Sequence, residues 1–382
     1  MTAVAEPPAG RGGGLRGWIL RLLARPEVQA RAARLPFGRG MARREGAEIF
    51  DILQGFVKSQ VLLALVETGA LRALLDGPRA PEDLARAAEM PAPRMAALLQ
   101  GGAALDLLKR RRDGRFALSR RGAVILGVPG LEAMILHNRA FYADMADPVA
   151  LLRGETETEL ARFWPYVFGQ AGEVAPDVAA RYSELMAQSQ RLVAEDVLRV
   201  VRLSDARVLM DVGGGTGTFV AAALRAHPQL RAMLVDLPEV LGAARPRLAA
   251  AGLTGRVTLC PMSFREAGLP EGADTVSLVR VLYDHTDETV RALLTNVHRR
   301  LPPGGRLIVA EPMAGGARPE PAGDLYFAFY TMAMGTGRAR SAAEIGALCA
   351  EAGFDLRQSP RAARPYVTSV LVCEKPAVGR GG

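Results

Sequence analysis

The run Val208-Leu209-Met210-Asp211-Val212-Gly213-Gly214-Gly215-Thr216-Gly217 joins a strand to a turn that only glycine can make comfortably. Its first half is an apolar stretch of strand length closing on an acid, and the stretch from Phe219 to Arg225 beyond it has the pattern of a helix. Glycines are needed in such a turn because the chain reverses sharply and a ligand must approach the backbone without meeting a Cβ atom. The spacing is Gly-x-Gly-x-Gly, with Thr218 following, so the dinucleotide fingerprint with its later third glycine is not met and a nicotinamide cofactor is disfavoured. A second acid, Asp236, ends the next apolar run 19 residues beyond Gly217, close to the distance of about 20 residues at which a ribose-binding carboxylate is expected. Strand, acid, three-glycine turn and distal acid together predict a nucleoside site.

Outward from this unit the texture is that of a doubly wound parallel sheet, an α/β class. Strands are predicted near 207–211, 232–236, 256–260, 274–279, 306–311 and 366–373, with helices near 218–226, 239–250, 287–300 and 341–352. Toward the N-terminus, residues 47–125 read as helices with apolar stripes, followed by a hairpin at Arg112-Asp113-Gly114-Arg115. Helices and a basic-flanked hairpin form a winged-helix pattern, which raises DNA binding. The stretch 91–108 that would enter a groove offers only Arg94 as a basic group, and Leu98, Leu99, Leu105, Leu107 and Leu108 make it apolar, so no nucleic-acid partner is expected.

The 382 residues carry a formal charge of +8, 49% hydrophobic and 23% charged residues, a composition that excludes a disordered or fibrous class. Residues 1–44 hold nine arginines against Glu6 and Glu27, so most of the surplus lies in an N-terminal arm. Within that arm Leu15, Trp18, Ile19, Leu22 and Leu23 recur at helical spacing; such a basic amphipathic helix either docks on its own protein or lies on an anionic membrane. The three cysteines, Cys260, Cys349 and Cys373, have no metal-type spacing and their odd number argues against a disulfide framework, which fits a cytoplasmic protein without a metal. No run approaches the roughly 18 apolar residues of a membrane span, and no secretory signal pattern opens the chain.

The stretch Asp211 to Gly217, with Val235-Asp236-Leu237-Pro238, Arg280-Val281-Leu282-Tyr283-Asp284, Pro303-Gly304-Gly305 and Ala310-Glu311-Pro312, resembles the small-molecule O-methyltransferases that include plant phenolic and acetylserotonin enzymes. The resemblance covers about residues 45–375. It implies a Rossmann-like domain over 206–382 that binds S-adenosyl-L-methionine, a winged-helix dimerisation domain over 41–130, a helical connector over 131–205 contributing to the substrate pocket, and a basic arm over 1–40. A homodimer and a small lipophilic substrate are implied with it. Phe37-Gly38-Arg39-Gly40 and Glu48-Ile49-Phe50-Asp51-Ile52-Leu53 bring the likeness nearer to the members that act on acyclic carotenoids of the demethylspheroidene or hydroxyneurosporene type. Phenolic and tetrapyrrole acceptors remain the alternative.

Carried over residue by residue, the resemblance makes Asp211, Gly213, Gly215, Asp236, Met262, Ser263 and Arg280 the cofactor contacts. The family's usual Gly-Asp-Phe after the third strand is here Pro261-Met262-Ser263, which removes its acidic contact to adenine. Its catalytic histidine slot reads Leu282-Tyr283-Asp284-His285, so Tyr283 stands in the slot and His285 two residues on. By unperturbed pKa His285 is the better base, near 6.5 against about 10 for Tyr283. Tyr283, His285 and water all stand as proton acceptors at this stage. The segment Asp324 to Met334 concentrates aromatic and Met residues, which suits either a substrate wall or a buried core. With His137, Tyr142 and Met186, its Phe327, Tyr330 and Met334 are the candidate substrate pocket, while Phe163, Trp164, Tyr166 and Phe168 are weaker candidates. His227 and His298 are expected to be solvated.

Overall fold

The computed structural model describes residues 14–34, 36–163, 176–265 and 268–377; the side chains of 33, 36–38, 163 and 176–186 are outside that description. Its internal contacts divide it into two units, residues 1–122 and 123–382.

The first unit is helical. It runs α1 (Leu15–Leu23), α2 (Pro26–Arg34), α3 (Pro36–Leu53), α4 (Gly55–Glu67), α5 (Ala70–Ala73), α6 (Pro81–Ala87) and α7 (Ala92–Ala104) into strands β1 (Leu108–Arg110) and β2 (Phe116–Leu118) and the start of α8 (Arg120–Gly127). Its core is aliphatic: Leu65, Leu71, Met95 and Leu99 are almost wholly buried and pack with Leu108 and Phe116 from the hairpin. Pro81 and Pro91 sit at or beside helix starts, where a missing N–H costs nothing. The strands pair antiparallel with Lys109 opposite Ala117, and Gly114 takes a positive φ at the tip, as the sequence predicted for a hairpin.

In the second unit α9 (Leu131–Asp144), α10 (Pro148–Arg153), α11 (Glu159–Phe163) and α12 (Pro176–Val200) precede the sheet. Then follow β3 (Val208–Val212), α13 (Thr218–Ala226), β4 (Arg231–Asp236), α14 (Pro238–Ala250), β5 (Val257–Pro261), β6 (Thr275–Val279), α15 (Asp287–Arg300), β7 (Arg306–Glu311), α16 (Ala328–Met334), α17 (Ala342–Glu351), β8 (Asp355–Gln358) and β9 (Ser369–Glu374). The sheet order is β5-β4-β3-β6-β7-β9-β8, parallel from β5 to β7 and antiparallel at β9 and β8. Strand order reverses between β3 and β6, the place where open α/β sheets bind ligands at their carboxyl ends. Both faces are covered, one by α12, α13 and α14 over Leu209 and Val279, the other by α15 and α17 over Met210 and Val276. This double burial explains why β6 reads as an unbroken apolar run rather than an alternation.

Three expectations change. The edge strand β8 has every residue exposed, so it lacks the burial pattern that reveals a strand in sequence. The segment after Glu320 forms a π-helical stretch, Pro321–Phe327, before α16, and the apolar Leu325 and Met332 on this segment are exposed, so it is not buried on all sides. His298 is also not a solvated histidine: it is half-buried with its ring edge-on to Phe354 at 5.0 Å.

Arg364, before β9, grips Asp196 of α12 through Nε–Oδ2 and Nη2–Oδ1 at 2.8 and 2.9 Å, and Asp196 is 1% exposed. Removing one partner of such a pair strands a charge away from water. Arg364→Leu is therefore expected to lower stability by about 3 kcal/mol, read from the urea midpoint, and a shift below about 0.5 kcal/mol would show that the pair contributes nothing.

Candidate functional site

The glycine turn closes β3 over β4. Gly213 N–H donates to Val235 O at 2.8 Å, and Gly217 N–H to Gly214 O at 3.0 Å, which fixes the loop as a tight bend. Gly213, Gly215 and Gly217 all take left-handed φ values, between 59° and 77°, a region costly for any residue with a Cβ. Gly214 is required for a different reason: a Cβ there would fall 2.4 Å from Asp211 Oδ2 and from Leu234 Cδ1. At Gly215 nothing stands within 4 Å of where a Cβ would be, so the backbone there faces open space.

Asp236 accepts from Gly215 N–H at 2.7 Å and from Leu237 N–H at 2.8 Å, so it fastens the glycine turn to the end of β4. Burial raises its pKa while the two backbone donors counter that. Met262 N–H donates to Asp236 O at 2.9 Å, which brings Met262 and Ser263 beside the same acid. Beneath the turn Asp211 is buried, with Oδ1 accepting from Ser277 Oγ at 2.6 Å and Oδ2 left without a partner among the described residues. Burial pushes its pKa up to about 7. An open backbone cradle, a strand-end acid next to it and an orphaned buried carboxylate oxygen fit a nucleoside that carries cationic and hydroxyl groups.

At the ends of β6 and β7 lies a second cluster. Arg280 adopts a left-handed φ of 59°, and its guanidinium donates to Ser189 Oγ at 3.0 Å and to Tyr283 Oη at 3.3 Å. Glu311, the last residue of β7, accepts from Val281 and Leu282 N–H at 3.0 and 2.8 Å, and so holds the turn that bears Tyr283 and Asp284. Among the described residues its other oxygen has no partner, nor does Asp284 Oδ1. Burial raises the pKa of both, Glu311 to about 7 and Asp284 well above the usual carboxylate range. The sequence reading left Glu311 and Asp284 without a role; the one signal available was an acid closing an apolar strand, as Asp211 and Asp236 do.

The two candidate bases fare differently from their free pKa values. Burial raises the Tyr283 phenol further above 10, so it keeps its proton. His285 is 7% exposed, its Nδ1 faces the Arg265 guanidinium at 2.8 Å, and Arg340 donates to its carbonyl oxygen. Burial first, then Arg265 and Arg340, bring its pKa down to about 3. The advantage His285 has on its unperturbed pKa is thereby lost.

Of the candidate pocket residues, the structure brings together those on α9 and those around α16. His137 Nε2 is 2.8 Å from Tyr330 Oη, Tyr326 Oη donates to Asn138 Oδ1 at 2.7 Å, and Phe141 meets Tyr326 and Tyr330 edge-on. Phe327 stands edge-on to Tyr326, Met334 is buried in the same cluster, and Tyr142 is near enough to act electrostatically on Tyr326. Tyr330 likewise acts on Arg280, so the aromatic cluster adjoins the polar one. The Met186 side chain, with Phe163, Trp164, Tyr166 and Phe168, falls outside the described residues.

Asp236→Ala is expected to weaken S-adenosylhomocysteine binding at least tenfold in calorimetric titration, because it loses a charged acceptor and frees the Gly215 backbone; an unchanged dissociation constant would remove Asp236 from the site. His285 gives a pH prediction. Its folded pKa lies below its unfolded value near 6.5, so between about pH 6.5 and 3 the unfolded chain binds the extra proton and stability falls as pH falls. The stability difference between wild type and His285→Gln should shift in that window against wild type with acidification and stay level from pH 7 to 8. A difference independent of pH from 7 to 4 would contradict the burial argument.

A family model for the O-methyltransferase domain matches residues 142–355. The chain is 56% identical over 377 residues to demethylspheroidene O-methyltransferase of Cereibacter sphaeroides, covering 99% of each, and 50% identical over 342 residues to the enzyme of that name from Rhodobacter capsulatus, covering 90% of this chain and 85% of that one. Among solved structures, a methyltransferase of calicheamicin biosynthesis in its SAH-bound form superposes with a TM-score of 0.73 at 28% identity, covering 87% and 98% of the two chains. Human N-acetylserotonin methyltransferase gives 0.73 at 22% identity over 87% and 98%. The glycine cradle, its strand-end acid and the order of the sheet thus sit in a chain that belongs to the O-methyltransferase family.

Proposed function

We propose that this enzyme transfers a methyl group from S-adenosyl-L-methionine to the tertiary hydroxyl of an acyclic carotenoid, in carotenoid biosynthesis. The observation that carries the reading is 56% identity along 99% of both chains to an enzyme named for demethylspheroidene. The site supports it too, because an aromatic cluster adjoins a buried cluster that contains no basic imidazole. Burial holds the pKa of the pocket's own His137 down at about 4. A phenol acceptor profits from ionisation before attack, whereas an aliphatic alcohol is too weak an acid to be ionised by any side chain here.

S-adenosyl-L-methionine supplies an electrophilic methyl group on a sulfonium, and displacement yields the methyl ether, S-adenosylhomocysteine and one proton. The Gly213 and Gly215 backbone would cradle the cofactor's methionine end and the Asp236 carboxylate would hold its ribose. Arg280 fixes Tyr283 by donating to Oη, which leaves the tyrosine proton free to hydrogen-bond to Asp284 or the acceptor oxygen. Asp284 Oδ1, left without a partner among the described residues, takes the alcohol proton as the new C–O bond forms, acting in the ionised form that the Arg280 guanidinium favours against the effect of burial. Glu311 keeps this turn in place. Orientation supplies most of the acceleration, since alignment alone is worth more than one proton acceptor.

The chain acts as a homodimer in this reading, supported by a row of exposed apolar residues, Ile49, Phe50, Ile52, Leu53 and Phe56, across α3 and α4. Its N-terminal arm lies on an anionic membrane, supported by α1, on which no residue is buried and Leu15, Trp18, Leu20 and Leu23 are exposed beside Arg16 and Arg21.

Purified enzyme with labelled S-adenosyl-L-methionine is expected to label a detergent-dispersed acyclic carotenoid bearing a tertiary hydroxyl, and to leave a simple phenol unlabelled; the reverse pattern would favour a phenolic substrate. With cofactor saturating, Asp284→Asn should lower turnover about a hundredfold, while Tyr283→Phe and His285→Gln each cost about tenfold or less. A thousandfold loss in His285→Gln with cofactor affinity intact would make His285 the base.

A further inference from the structure

Outside its N-terminal arm the chain is close to neutral, and that average hides a local concentration. Residues 109–121 contain seven Lys or Arg against Asp113 alone, a net +6 in a chain of net +8. The fold displays them. In β1, Leu108 turns inward and is 2% exposed while Lys109 and Arg110 face solvent; Arg111 and Arg112 occupy the tip; Arg120 and Arg121 open α8.

The nearby acids do not neutralise the patch. Asp113 is taken by Arg115 at 2.7 Å and Asp106 faces Arg121 at 3.6 Å, so Lys109, Arg110, Arg111, Arg112 and Arg120 have no carboxylate partner among the described residues. The support beneath is firm. Ser119 Oγ donates to Asp106 O and accepts from Gly122 N–H at 3.0 Å, Ser119 N–H donates to Leu107 O, and Phe116 bridges to Arg79 through two backbone hydrogen bonds of 2.9 Å. Like charges held together on a rigid hairpin repel one another at a cost that an anionic partner would relieve.

We propose that this hairpin is a docking surface for the anionic headgroups of a lipid bilayer. Two observations choose a bilayer over nucleic acid. The helix that a winged-helix reader would place in a groove, α7, carries only Arg94. The acceptor, a long apolar chain bearing a hydroxyl, partitions into a bilayer far better than into water, and this second point alone rests on the function proposed above. The hairpin is separate in sequence from α1 and supplies a second, purely electrostatic contact, and stable membrane attachment generally needs two such signals.

The test uses the full chain and the triple variant Arg110→Gln, Arg111→Gln, Arg112→Gln, all three side chains being exposed. Sedimentation is read on vesicles of phosphatidylcholine with and without phosphatidylglycerol, at low and high salt. At low salt, removing three cations is expected to reduce partitioning onto phosphatidylglycerol vesicles about a hundredfold, with an unchanged melting temperature and unchanged methylation of detergent-dispersed substrate. Partitioning equal to wild type, or an equal loss on neutral vesicles, would overturn the proposal. So would loss of duplex DNA binding in the variant with vesicle binding retained, which would identify nucleic acid as the partner. Failure of the methylation assay in both proteins would instead fall on the proposed reaction, since partitioning is measured without substrate.

Discussion

Everything in the cofactor half of this protein hangs on how β3 turns into α13. The chain must reverse within five residues, keep its backbone open to a ligand, and still bury Asp211 beneath. Three left-handed glycines and one glycine pressed against the acid satisfy these demands, and the Asp236 carboxylate locks the result by capturing Gly215 N–H. The same carboxylate stands at the end of β4, so the register between β3 and β4 sets the position of both halves of the nucleoside site. A sheet buried on both faces supplies the rigidity, because neither strand can slide without exposing Leu209, Met210 or Leu234.

The other site depends on burial used as chemistry. Glu311 spends one oxygen on two backbone amides, which fixes the turn after β6, and Arg280 is held in a left-handed conformation that aims its guanidinium at Tyr283. Withdrawing these groups from water separates their proton affinities: carboxyls rise, phenol rises, imidazole falls. A site arranged in this way is poorly equipped to ionise an acceptor in advance and well equipped to orient one. Its aromatic neighbours, Tyr326 and Tyr330, stack 5.8 Å apart beside it.

In the helical unit the relevant physics is surface rather than core. Leu65, Met95 and Leu99 are fully buried within it, and exposed residues fall into apolar rows on α1, α3 and α4 and a cationic hairpin. Surfaces of this kind are costly in water unless something covers them, and none is needed to hold the unit together.

The sequence by itself determined the parallel strands β3 to β7, though not the antiparallel pairing of β9, together with the glycine turn and the acid partnered with it, because those features depend on local periods and on conformations that only one residue type adopts at low cost. Helices 218–226 and 287–300 were legible to the residue for the same reason, each bounded by its own local signals. What it could not determine was where a side chain's proton affinity would settle. His285 looked the better base until tertiary packing placed Arg265 and Arg340 against it, and Glu311 and Asp284 looked ordinary until the ends of β6 and β7 came together around them. Strand β8 escaped because an edge strand with no buried side chain leaves no period to read. Conformation is set by neighbours along the chain and electrostatics by neighbours in space, and only the folded structure supplies the second kind.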